Sequence, residues 1–152
     1  LVLLCPSGFG KEERLPIVEG ARAKNYQELV ESTFYDCRLA SPRIIEYYAQ
    51  KFAFKPWRKA FFETVRGTKS HSVLHKLRQF DRPTLVICGR EDRIVDPLSV
   101  YEAVKDIPNY QYVSIPNCGH APQLERPRRR RHRTQRPTTQ DTRLGNPSRA
   151  SC

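Results

Sequence analysis

Arg82-Pro-Thr-Leu-Val-Ile-Cys-Gly-Arg-Glu-Asp92 is followed, after room for one helix and one strand, by Asn117-Cys-Gly-His120-Ala-Pro-Gln-Leu-Glu-Arg-Pro127. Thr84-Leu-Val-Ile-Cys88 has the length and apolar character of a strand covered on both faces by a parallel sheet's helices. Asp96 as cap and Pro97 in the first turn open a helix carrying Val100, Ala103, Val104 and Ile107. Tyr110-Gln-Tyr-Val-Ser-Ile115 reads as the next strand. Strand, helix and strand with short loops predict a right-handed crossover in a parallel sheet. Reactive groups in such sheets gather at the carboxyl ends of the strands. Asp92 follows the first strand and His120 the second, 28 positions later. They are candidates for two members of a nucleophile–base–acid triad. The third is missing, because G-x-S-x-G occurs nowhere in the 152 residues.

Upstream, Leu1-Val-Leu-Leu-Cys5 reads as another buried strand, ended by the turn residues Pro6-Ser-Gly-Phe-Gly10. Residues 11–81 are helical in character. Apolar residues recur at helical spacing over 21–35. Ser41-Pro42 starts a helix with Ile44, Ile45, Tyr48 and Phe52 on one face. Pro56 opens another through Trp57, Ala60, Phe61, Phe62 and Val65, ending at Gly67. Ser70 is a cap candidate for a helix with Val73, Leu74, Leu77 and Phe80. Eight of the fifteen aromatics fall between Tyr35 and Phe62, either as a helical core or as the lining of an apolar pocket.

The net charge of +11 divides unevenly. Residues 126–152 carry nine arginines and one acid, Asp141, whereas residues 1–125 sum to only +3. The basic pI therefore describes a tail rather than the folded body. That tail holds Arg128-Arg-Arg-Arg-His-Arg133 among Thr, Gln, Pro, Asn and Ser, a composition that cannot bury a core and predicts disorder. It is the only feature pointing to nucleic acid or a lipid surface, and no aromatics interleave for base stacking. No apolar run approaches the roughly 18 residues of a membrane span. A soluble, cytoplasmic protein without a membrane partner is the expectation. Cys5, Cys37, Cys88, Cys118 and Cys152 show no metal or disulfide spacing, and reduced thiols are expected. Cys118 lies two residues from His120, but neighbouring loop residues diverge, so a Cys–His pair is not expected there. With no methionine and an opening inside a strand, the chain reads as the back half of a longer enzyme.

Pro83-Thr-Leu-Val-Ile-Cys-Gly89 with Glu91-Asp92-Arg-Ile-Val95, and then the His120 loop, resemble the acid and histidine loops of cap-bearing α/β-hydrolases. Residues 1–10 resemble that family's strand leading into the cap. The resemblance covers residues 1–127. It implies a partial α/β-hydrolase fold, a mostly parallel sheet with a helical cap insertion: core at 1–10 and 82–127, cap at 11–81, disordered tail at 128–152. It implies Asp92 as triad acid and His120 as general base, acting on an ester or related bond in a small apolar substrate, with no cofactor and no metal. Glu91 and Asp96 are rivals for the acid, but Asp96 is explained as a helix cap and Glu91 precedes the matching position. His71, His75 and His132 lack any such context and read as surface residues. The family's nucleophile and oxyanion loop would lie before Leu1, so this stretch by itself is expected to be inactive. Its last helix would follow Pro127, where the arginine run stands instead, which reads as a shifted reading frame. A non-catalytic remnant or binding module of the same fold is one alternative, and a nucleic-acid-binding protein with a basic tail is another. An unpaired sheet edge is expected at residues 1–5 and 84–88.

Overall fold

A computed structural model describes residues 1–9 and 16–127. The arginine-rich segment, with His132, Asp141 and Cys152, lies outside the described residues, as do Gly10 and the start of the helical region. The sheet is parallel throughout, in the order β1 (Val2–Leu4), β2 (Thr84–Gly89), β3 (Tyr110–Ile115). Val86 and Cys88 on β2 are fully buried, as the unbroken apolar run implies for a strand with a neighbour on each side. That corrects one expectation. Among the described residues the edges fall on β1, where Leu1, Val2 and Leu4 are exposed, and on β3, and not on residues 84–88.

Between β1 and β2 the chain runs through α1 (Pro16–Ala23), α2 (Tyr26–Glu31), a 3-10 turn (Cys37–Leu39), α3 (Pro42–Ala53), α4 (Lys55–Ser70) and α5 (Leu74–Leu77). α6 (Pro97–Val104) joins β2 to β3, and α7 (Pro122–Glu125) follows the histidine loop. Asp96 caps α6 through bonds from the Ser99 N–H at 2.9 Å and the Ser99 hydroxyl at 2.6 Å. Pro42 takes the first turn of α3, but Ser41 caps it by position only, with no side-chain bond.

Three helix boundaries differ from the sequence reading. The periodic stretch 21–35 is split, because Lys24 adopts a left-handed φ of 58° and the Asn25 side chain caps a new helix at the Glu28 N–H. Gly67 does not end α4, which continues to Ser70. Ser70 therefore lies inside α4 and caps nothing, its hydroxyl bonding back to Gly67 O at 3.2 Å.

Two apolar clusters fill the interior. One joins Val86, Cys88 and Tyr112 of the sheet to Val100, Val104 and Ile107. The other is helical and centres on Phe52, which is fully buried against Tyr26, Trp57 and Phe61 at ring separations of 4.8–5.6 Å. Ile17 packs against both clusters. Within the aromatic-rich segment Phe52 is buried, Tyr48, Trp57, Phe61 and Phe62 are half-buried against its cluster, and Tyr35, Tyr47 and Phe54 are exposed.

Candidate active site

Parallel register puts the carboxyl ends of all three strands at one rim of the sheet, and the loops after them meet there. The turn after β2 carries Asp92. Its Oδ1 accepts from the Ile94 N–H at 2.8 Å and the Val95 N–H at 3.0 Å. Its Oδ2 accepts from His120 Nδ1 at 2.8 Å. The carboxylate side chain is only 1% exposed, whereas the imidazole is 28% exposed. A buried carboxylate bonded to Nδ1 fixes one tautomer and leaves Nε2 available to take a proton.

The turn bearing the imidazole is held from three directions. Cys118 N–H donates to Glu91 Oε2 at 3.0 Å, Gly119 N–H to Glu125 Oε1 at 2.7 Å, and His120 N–H to Thr33 O at 2.8 Å. Asn117 turns the chain with a left-handed φ of 55°, a conformation asparagine tolerates better than most residues. Gly89 and Gly119 have no room for a side chain. A Cβ on Gly89 would lie 2.0 Å from Gly119 O, and one on Gly119 would lie 2.8 Å from Thr33 O and Tyr35 N. The connection after α2, residues 33–35, thus sits directly on the histidine turn. Arg93 adds to this contact by donating to Glu31 O and Phe34 O at 2.6 and 2.9 Å.

Cys5 completes the cluster. It follows β1 with a left-handed φ of 42°, held by its N–H bond to Ile87 O at 2.8 Å. Its thiol, with Asp92 and His120, forms a donor set whose ligand atoms lie within 4.8 Å of one another. The contact with Cys88, together with burial, pushes that thiol far up, so it stays protonated. Both Asp92 oxygens are already occupied by hydrogen bonds. The donor set is therefore satisfied as a hydrogen-bonded cluster. Held protonated in this way, the Cys5 thiol does not offer the thiolate that a nucleophilic cysteine needs.

Burial alone would pull the His120 imidazolium down. The Asp92 hydrogen bond and charge outweigh it, and with the Cys5 contact raise the ring to about 9. Cys118 turns away from the imidazole. Its thiol donates to Gly119 O and Glu125 Oε1 at 3.7 and 3.8 Å, and burial followed by the Glu125 charge pushes it up to about 12.

Of the residues singled out in the sequence, Asp92 and His120 meet, Glu91 points to the histidine turn, and Asp96 caps α6. His71 and His75 lie on the surface. The sequence reading missed Glu125, Arg93, Thr33 and Cys5 as site neighbours. Thr33 acts through its main chain, so no side-chain pattern reveals it. Glu125 stands in the quoted histidine stretch, five positions past His120, and that fixed spacing was its available signal.

Residues 46–127 match the α/β hydrolase fold family. The chain belongs to that family. Among curated α/β-hydrolase relatives, mouse (Mus musculus) monoacylglycerol lipase ABHD6 is 33% identical over 73 residues, covering 48% of this chain and 22% of the relative. The uncharacterized hydrolase YugF of Bacillus subtilis (strain 168) is 26% identical over 141 residues, covering 84% of this chain and 51% of the relative. Among solved structures, the meta-cleavage product hydrolase CumD of Pseudomonas fluorescens IP01 superposes with a TM-score of 0.67 at 20% identity, over 83% of this chain and 50% of that one. A membrane phospholipase A, described as a bacterial virulence factor, superposes with a TM-score of 0.65 at 23% identity, over 84% and 44%. The structural likenesses establish the α/β-hydrolase fold. The chain spans at most about half the length of these relatives. No described helix is long and apolar enough to cross a membrane.

Proposed function

We propose that this chain supplies the acid, Asp92, and the general base, His120, of a hydrolase triad that cleaves an ester or related bond in a small apolar substrate. The observation that carries the reading is the 2.8 Å bond from His120 Nδ1 to a buried carboxylate whose other oxygen is already saturated by two main-chain N–H groups. In this reading Nε2 takes the proton of a nucleophile as it attacks the substrate carbonyl, and Asp92 stabilises the resulting imidazolium. The same proton then passes to the leaving alcohol, and water repeats the cycle to release the acid. Since G-x-S-x-G is absent from these 152 residues, the nucleophile and oxyanion donors come from a segment outside them. The helices between β1 and β2 act as a cap over this rim, and apolar side chains there receive the substrate. The lipase and esterase names among the relatives agree with an ester substrate.

The test uses a full-length protein carrying these residues and a short acyl ester. Turnover that disappears in His120→Ala, with a folded variant, is expected. Unchanged turnover in that variant sinks the reading. The 152-residue chain alone is expected to show no burst of acylation.

A further inference from the structure

We infer that Glu125 is a positioning residue for His120, holding the histidine turn and the 33–35 segment in one register. The inference rests on the reading of Asp92 and His120 given above. Glu125 is 7% exposed, an unusual place for a carboxylate. Its Oε1 accepts from the Gly119 N–H at 2.7 Å and its Oε2 from the Tyr35 N–H at 2.8 Å. The two donors are 84 residues apart in sequence. A third donor, the Cys118 thiol, reaches Oε1 at 3.8 Å. Charge-assisted bonds of this kind offset the desolvation of a buried carboxylate, and none of its partners is a cation. One step along the turn, His120 N–H binds Thr33 O from the same connection after α2. The carboxylate and this carbonyl therefore set where the turn lies against the helical layer, and the imidazole leaves from the middle of that turn.

The chemistry requires a carboxylate. Both principal contacts are N–H donors, so both side-chain oxygens must accept. Glutamine keeps the shape but presents an NH₂ to one of the two N–H groups. That contact opens, and the turn loses its register against residues 33–35. The imidazole then loosens from Asp92. Glu91 holds only the Cys118 N–H and cannot replace the lost anchor.

The experiment is a histidine-ring NMR titration of the 152-residue chain with ¹³C-labelled histidine. In the unsubstituted chain His120 is expected to titrate well above the ordinary histidine value of about 6.5. In Glu125→Gln its midpoint is expected to fall toward that value, while circular dichroism shows the chain still folded. A Glu125→Gln midpoint equal to that of the unsubstituted chain overturns the inference. If the unsubstituted chain already titrates at the ordinary value, the Asp92–His120 pairing fails, which is a separate result. Should Glu125→Gln unfold, Glu125→Asp is read instead. Its shorter arm reaches one donor at a time and is expected to give an intermediate midpoint. Hydrogen exchange in the unsubstituted chain supplies a measurement that needs no variant. Tyr35 and Gly119 amides are expected to be protected together, and rapid exchange of either one overturns the inference.

Discussion

At the scale of single residues, the proposed triad makes the bond between Asp92 and His120 the control on both activity and its pH dependence. In a full-length form, His120→Ala is expected to lower kcat/KM of an acyl ester about 10⁴-fold or more. Asp92→Asn is expected to cost less, because the imidazole survives in the wrong tautomer. Since a base must be neutral to accept a proton, kcat/KM is expected to rise with pH through a midpoint near 9, above the ordinary histidine value. Asp92→Asn moves that midpoint to lower pH by removing the charge that raises it. Stability follows the same protonation. The folded-state value lies above the unfolded one, so the pair's contribution is complete below about pH 6.5 and is lost as pH rises through about 9. Urea titrations at a series of pH values, compared between the unsubstituted chain and His120→Ala, check this sign. Increasing stability across that window would contradict it.

Among elements, the helical layer depends on one ring. Phe52 is fully buried and touches Tyr26 of α2 and Trp57 and Phe61 of α4. Phe52→Ala is expected to destabilise by about 3–5 kcal/mol, the usual cost of emptying a large aromatic site. A loss below about 1 kcal/mol in chemical denaturation would show that the cluster collapses around the gap. The same layer marks where the sequence was legible and where it was not. β2, α6 and β3 were readable because apolar runs and the Asp96-Pro97 start reflect local chemistry. So were Asp92 and His120, whose place at strand ends follows from parallel topology. The break at Lys24 and Asn25 and the extension of α4 through Gly67 were not. Helical periodicity carries on across a single left-handed residue, and tertiary contacts can keep a glycine helical. The clamp on the histidine turn was hidden for another reason. Thr33 and Tyr35 take part through main-chain groups, and such contacts leave no mark on residue type.

Over the whole molecule, one exposed apolar surface among the described residues is a sheet edge. Val2 is 60% exposed on β1, flanked by Leu1 and Leu4, with the strand paired only to β2 among the described residues. An open apolar edge is a template for further strands. The 152-residue chain is therefore expected to self-associate as its concentration rises, and Val2→Lys with Leu4→Lys is expected to shift it toward monomer in sedimentation velocity. Equal behaviour of the two forms would place the association elsewhere. The joint between the helical layer and the rim has a different kind of outcome. Glu31, Thr33 and Phe34 contribute carbonyls and Tyr35 contributes an amide, and no side chain of these four takes part in those bonds. Residue identity at Glu31, Thr33 and Tyr35 is thus free to drift so long as the backbone keeps its path, whereas Phe34 is held by its own burial in the helical core. If the helical layer is the proposed cap, a lineage can rewrite much of its surface, and with it the preference for one molecule over another, without retuning the imidazole beneath.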